Sequence, residues 1–147
     1  MEVGSTRANV RLMSYAMPIT GSAPDAADLE RLAKVAFETI PDVLKERVRD
    51  VVIRVDEFPD DDVIDEMGAD NEFEILGLYQ GLSLDKKSGW DVFHGPDIIY
   101  LYRRPILDFW CDTGERLDTV VRHVLIHEIG HHFGFSDEDM ERIEFED

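Results

Sequence analysis

HEIGHHFGFSD, residues 127–137, is the stretch from which the rest of the chain can be read. It contains H-E-x-x-H, and on a helix that spacing sets His127 and His131 one turn apart on the same face, where both imidazoles can point at one ion. Glu128 lies one step round the helix, within reach of a water beside that ion. Gly134 can end the helix by adopting a left-handed conformation, and Asp137 follows in a segment free to fold back as a third ligand. Two histidines, a carboxylate and an open position suit a catalytic zinc site better than a structural one. The bare motif also arises by chance on surface helices, so its setting matters. Residues 117–133 are charge-poor and helix-patterned, and Leu117, Val120, Val121, Val124 and Leu125 share an arc with His127, Glu128, His131 and His132. The ligands are therefore expected on the core-facing side. There, unpartnered polar groups would each cost about 2 kcal/mol or more, a cost that a metal removes.

The chain has 147 residues, enough for one domain with a proper core, and 44% of them are hydrophobic. Its single cysteine, Cys111, permits no internal disulfide and fits a reducing compartment. The first twenty residues contain no continuous apolar run of the kind that marks a secretory leader, and no segment approaches membrane-spanning length. The expected location is the cytoplasm, with no membrane partner. Formal net charge is −18. The excess is concentrated: residues 56–74 carry ten acidic and no basic side chains, and residues 135–147 carry seven acidic against Arg142 alone. Such a surface repels phosphate backbones, which argues against a nucleic-acid ligand. Its simplest reading is a solvated acidic face.

Residues 1–22 read as a flexible extension and residues 23–147 as the domain. Ser22, with Asp25 three residues on, can cap a first helix in which Leu29, Leu32, Ala33, Ala36 and Ile40 follow helical spacing. Pro41 interrupts it, and a short helix over 42–49 follows. Val51–Val55 reads as a buried strand, 60–67 as an acidic helix closed by Gly68, 75–80 as a second strand and 97–102 as a third, with a loop over 86–96 between them. A helical turn at 105–111, the long helix from about 115 to 133 and a short final helix over 137–144 complete the chain. This order predicts a small α+β domain with helices packed on a three- or four-stranded sheet.

The stretches VVIRVDEFPDD (51–61), LGLYQG (76–81), PDIIYLYRRPI (96–106) and HEIGHHFGFSD (127–137) together resemble the bacterial minimal-zincin family, over roughly residues 25–145. The resemblance implies a zincin-like single domain: a small mixed sheet over an active-site helix, with H-E-x-x-H-x-x-G-x-x-D as the metal motif. Carried over residue by residue, it makes His127, His131 and Asp137 the ligands of Zn2+ and Glu128 the catalytic glutamate. It also implies that a peptide or protein substrate lies along the edge strand above the active helix, with 97–102 as that strand. Glu138 and Glu141 stay open as alternatives to Asp137. The motif is similar to that of metzincin proteases too, but so little chain follows it that their methionine turn has no room. Met140 reads as helix packing.

The chemistry implied is a metallopeptidase's. An activated water attacks a peptide carbonyl, Glu128 takes and returns its proton, and a further donor stabilises the oxyanion. Tyr100, Tyr102 and Arg103 are candidates for that donor, although a tyrosine pair on a strand is more simply aromatic packing. His132 sits about 100° round the helix from His131 and reads as a supporting group rather than a ligand. Phe109-Trp110-Cys111 reads as buried packing, without the setting in which peptide deformylases pair H-E-x-x-H with a cysteine. Two other classes compete. A non-catalytic zinc-binding interaction module fits the small size, but has no need of Glu128. A metal-dependent endoribonuclease resembling the bacterial rRNA-maturation metalloproteins shares the ligand spacing with histidine last; Glu128 and the acidic surface oppose it. Iron, cobalt or nickel could use the same ligands.

Overall fold

The computed structural model describes residues 21–48, 50–81 and 96–146. The reading of 1–22 as an extension therefore falls almost wholly outside the described residues, as does most of the 86–96 loop. Among the described residues, six α-helices and three strands follow in the order α1 (Ala26–Thr39), α2 (Asp42–Lys45), β1 (Val51–Asp56), α3 (Asp61–Met67), β2 (Gly77–Gln80), β3 (Asp97–Tyr102), α4 (Arg103–Thr113), α5 (Leu117–His132) and α6 (Asp137–Glu146).

Helix α1 is capped by Asp25 rather than by Ser22. The Asp25 carboxylate accepts from the Asp28 amide at 2.8 Å, and Asp28 accepts from the Asp25 amide at 2.9 Å, so two amides at the helix start are satisfied reciprocally. Its buried stripe of Leu29, Ala33 and Ala36 faces α5 and β1. The small alanines let α1 lie close, and Arg122 of α5 donates to the Thr39 hydroxyl and carbonyl at 3.1 and 3.2 Å, tying the two helices at one end. Pro41 starts α2, as its fixed φ allows, and α3 ends at Gly68 in a left-handed conformation, φ 67°. The helical turn expected at 105–111 extends over the eleven residues of α4, because Pro105 sits in its first turn, where no amide is needed.

The sheet has the order β1-β3-β2, with β1 parallel and β2 antiparallel to β3. Strand Asp97–Tyr102 is therefore the central strand, and this corrects the expectation that it is the edge. Both its ladders are taken by the protein itself, so no peptide can add to it. Register places Ile53, Ile99 and Tyr79 in one row and Val55, Leu101 and Gly77 in the next. These residues line the face covered by α1 and α5, where the core forms around Leu29, Ile99, Leu101, Leu125, Ile126 and Ile129, all fully buried. Alternation sends Arg54, Leu78 and Tyr100 to the other face. No helix among the described residues is long and apolar enough to cross a membrane.

Candidate metal centre

The chain turns sharply after His132. Gly134 takes φ 87°, the Phe135 amide reaches back to the Gly130 carbonyl at 2.8 Å, and the Gly134 amide to the His131 carbonyl at 3.1 Å. This paired closure ends α5 as its sequence predicts. Ser136 opens α6 at once. Its hydroxyl accepts from the Asp139 amide at 3.0 Å, and its own amide donates to the Asp139 carboxylate at 3.3 Å. Four residues thus reverse the chain, so that α6 returns along α5 and Asp137 arrives beside His131.

A contact in the core sets how close the two helices come. Met140 is fully buried, and a Cβ added at Gly130 would lie 2.1 Å from its sulfur and 2.7 Å from its Cγ. Gly130 is thus the notch in α5 that accepts Met140. The methionine packs helix against helix, as its position in sequence suggested.

On this seam one ligand-bearing nitrogen or oxygen from each of His127, His131 and Asp137 lies within 4.8 Å of the others, and His131 Nε2 is 2.8 Å from Asp137 Oδ1. Ligands around a tetrahedral zinc at about 2.0–2.2 Å stand roughly 3.5 Å apart. The spacing of this donor set is thus of the order that such an ion requires. Two imidazoles and a carboxylate are also the right donor chemistry for zinc, and the residues present fit the metal. The carboxyl of Asp137 is held below its usual range, chiefly by the hydrogen bond from His131. His127 is pushed below the ordinary histidine value by burial first and by His123 second, with Glu144 opposing. A neutral imidazole is the form a metal needs.

The seam is wetter than the helical wheel suggested. The His131 side chain is 53% exposed and Asp137 is 84% exposed, whereas the buried residues of α5 are Val120, Val121, Val124, Leu125, Ile126, Ile129 and Gly130. The candidate ligands border the core rather than face it, and the ten-residue, acidic α6 leaves His131 and Asp137 open to water. Burial cost therefore does not argue for a metal at His131.

Glu128 has the opposite setting. It projects toward β2, where an added Cβ on Gly77 would stand 3.4 Å from its Cγ and 2.7 Å from a Val124 methyl. The missing side chain at Gly77 makes room for it. Burial in this cleft raises its carboxyl to about 7, against a smaller lowering by His131. His132 stacks on Tyr79, ring centroids 4.0 Å apart, and is turned away from the ligand seam. Tyr79 in turn donates to Asp97 at 2.6 Å.

The remaining sequence candidates separate. Tyr100 points to the sheet face away from α5 and stacks on Tyr102, centroids 6.2 Å apart. Tyr102 is 2% exposed. Its hydroxyl is raised above the ordinary tyrosine value mainly by burial, with Glu128 the last of several contributing charges. Arg103 is occupied as a latch, donating to the Pro24 carbonyl at 2.8 Å and to Glu57 at 2.9 Å. The structure does not bring Tyr100 or Arg103 to the ligands. Cys111 is exposed on α4, not buried as its neighbours suggested. Glu138 and Glu141 line a cleft of about 400 Å³ on the seam, together with His123, His127, Asp137, Glu144 and Phe145. His123 and Glu144 were not anticipated. The signal was present: histidines recur at 123, 127 and 131, one turn apart, and Asp137, Glu141 and Glu144 recur along the facing helix.

A search of curated proteins finds no match to this chain. The family model described as zincin-like metallopeptidase matches residues 48–146, from before β1 to the last residue of α6, and so takes in the sheet and the whole ligand seam. The chain belongs to the zincin-like metallopeptidase family.

Proposed function

We propose that the protein is a zinc-dependent peptide-bond hydrolase in which His127, His131 and Asp137 hold the ion and Glu128 moves the proton. The observation that carries this reading is the juxtaposition around α5: three ligand-type atoms gathered on one side, and the half-buried Glu128 carboxylate set beside Gly77 and Val124 on the adjoining side. Zinc bound there would supply the Lewis acidity that polarises a carbonyl and acidifies a water.

The chain's own groups do the rest. The Glu128 carboxylate takes a proton from a water as the water oxygen bonds to the scissile carbonyl carbon. It then gives that proton to the amide nitrogen as the C–N bond breaks, leaving a carboxylic acid and an amine. A carboxyl whose pKa lies near the working pH can do both. Gly77, by lacking a side chain, leaves room for Glu128 beside Val124, where the side chain is partly shielded from water.

Strand β2 is the antiparallel edge of the sheet among the described residues and passes directly beneath Glu128. On this reading an extended peptide pairs with its outer side and runs its carbonyls past the proton carrier. The substrate on this reading lies along Gly77–Gln80 rather than along the strand expected from sequence. The acidic surface favours peptides of neutral or basic character.

The test is metal analysis of freshly purified protein followed by cleavage of a peptide library with and without chelator. The expected result is one zinc per chain and cleavage that chelator stops and zinc restores. Metal-free protein that takes up no zinc on titration would overturn the ligand assignment. Equal cleavage by zinc-loaded Glu128→Gln and wild type would overturn the mechanism.

A further inference from the structure

One turn back along α5 from the proposed site, a second set of donors converges. His123, His127 and Glu144 each offer a ligand atom within 4.8 Å of the other two. Glu144 Oε1 lies 3.1 Å from His123 Nδ1 and 3.7 Å from His127 Nε2, and the two imidazole rings stand 4.0 Å apart.

The Glu144 side chain is the least exposed acid on the seam, at 7%, against 84% for Asp137. Among the described residues its polar contacts are those two imidazoles, and neither carries a permanent positive charge. A buried carboxylate needs a cation or donors. Here it faces two histidines, in a cleft of about 400 Å³ that also reaches Asp137. Two histidines and a glutamate make a donor set of the same class as the motif's own, with room for water to complete it.

We infer that His123, His127 and Glu144 form a second position for a divalent transition-metal ion, sharing His127 with the first. Both donor sets draw on the one imidazole of His127; a neutral imidazole offers a lone pair on one nitrogen only, so the two positions are alternatives for one ion. An ion at the second position keeps His127 from the catalytic set and lies further from His131. The chain then holds its metal in a resting arrangement, and Glu144 and Asp137 compete for it across one helical turn. The inference rests on the proposed ligand seam through His127 alone; it does not require peptidase activity.

The experiment is zinc titration by calorimetry, with cobalt absorption as a spectroscopic check, on the full chain. His131→Ala/Asp137→Ala removes the motif's set and keeps His127. This double variant is expected to bind one zinc per chain with a cobalt spectrum different from that of wild type. Adding Glu144→Gln, or separately His123→Ala, should weaken that binding at least about tenfold. Using two substitutions guards against local misfolding in either, and thermal melts verify the fold. A folded double variant that binds no zinc, while wild type binds one, overturns the second position and leaves the first intact. Binding by the double variant that neither added change weakens also overturns it. If Glu144→Gln alone abolishes zinc binding by wild type, the second position stands and the motif's ligand set fails.

Discussion

The two sides of α5 use burial to opposite ends. Toward β2, the drier side, a single half-buried carboxylate, Glu128, lies beside Gly77 and Val124, and burial raises its pKa to about 7. Toward α6, a row of histidines borders water, and burial lowers the proton affinity of His127. Desolvation favours the neutral form in both cases. For the acid this means a proton held near neutrality, ready to be exchanged. For the base it means a lone pair free for a metal. On the proposed reading, one physical effect prepares a proton carrier and a ligand on adjacent residues, because the helix turns them about 100° apart.

The largest expected effect comes from breaking the dry side alone. Glu128→Gln keeps shape and burial but removes the proton acceptor, so turnover should fall about 10²–10⁴-fold. Zinc affinity should be unchanged, because the amide touches no ligand on the seam. Peptide cleavage and zinc titration on the same preparation check this. A parallel loss of metal would show that the two sides are not separable.

Next comes the notch that docks α6. Gly130→Ala would press a methyl against the buried Met140 sulfur, costing about 1–3 kcal/mol of stability. Because α6 carries Asp137 and Glu144, zinc affinity should fall as well, although no ligand has been altered. Adding Met140→Ala should recover part of the zinc affinity by relieving the clash, while the cavity it leaves keeps stability low. Zinc affinity in the double variant no better than in Gly130→Ala alone would detach the ligand geometry from this contact.

A smaller effect is expected at the wet side. Asp137→Ala should weaken zinc binding at least about tenfold and lower activity only through metal occupancy, so that excess zinc restores turnover. Its effect on the melting temperature of the metal-free protein should be slight, since the Asp137–His131 pair is exposed. Chelation of wild type should likewise lower the melting temperature while leaving a folded domain, because the core of α1, α5 and the sheet contains none of the ligands.

The sequence makes the ligand side legible for a simple reason. Spacing of four on a helix and a glycine-terminated turn are local, and HEIGHHFGFSD encodes both. The strands and α5 were legible in the same way, from apolar runs bounded by Pro and Gly. Strand order was not, because pairing is decided by which partners bury the most surface, and that put Asp97–Tyr102 in the centre. The depth of the ligands was misjudged because a helical wheel gives direction but not what lies opposite. Leu125 and His131 fall within one arc, yet the first meets the sheet and the second meets only the short α6. Glu144 escaped notice because its partners, His123 and His127, are distant in sequence and near only after the turn at Gly134.

The smallest predicted effect tests whether the two sides of α5 depend on the remote end of α1. Asp25 caps that helix, and its carboxyl is held below the ordinary value of 3.8, first by the Asp28 amide and also by the Asp28 side chain and Arg31. A folded-state pKa lower than the unfolded one means that the ionised carboxylate favours folding. That contribution is complete above the unfolded value and disappears as pH falls through the folded one. Asp25→Ala should therefore lower the melting temperature slightly at neutral pH, and the gap between variant and wild type should close as pH drops below about 4. Asp25→Asn, which can still accept the Asp28 amide, should recover most of the loss at neutral pH. Zinc affinity and peptide cleavage should be unaffected in both variants, because α1 reaches α5 through Leu29, Ala33 and Ala36 and not through its cap. A change in zinc affinity on removing the cap would show that the packing of α1, and not α6 alone, sets the geometry of the ligand seam.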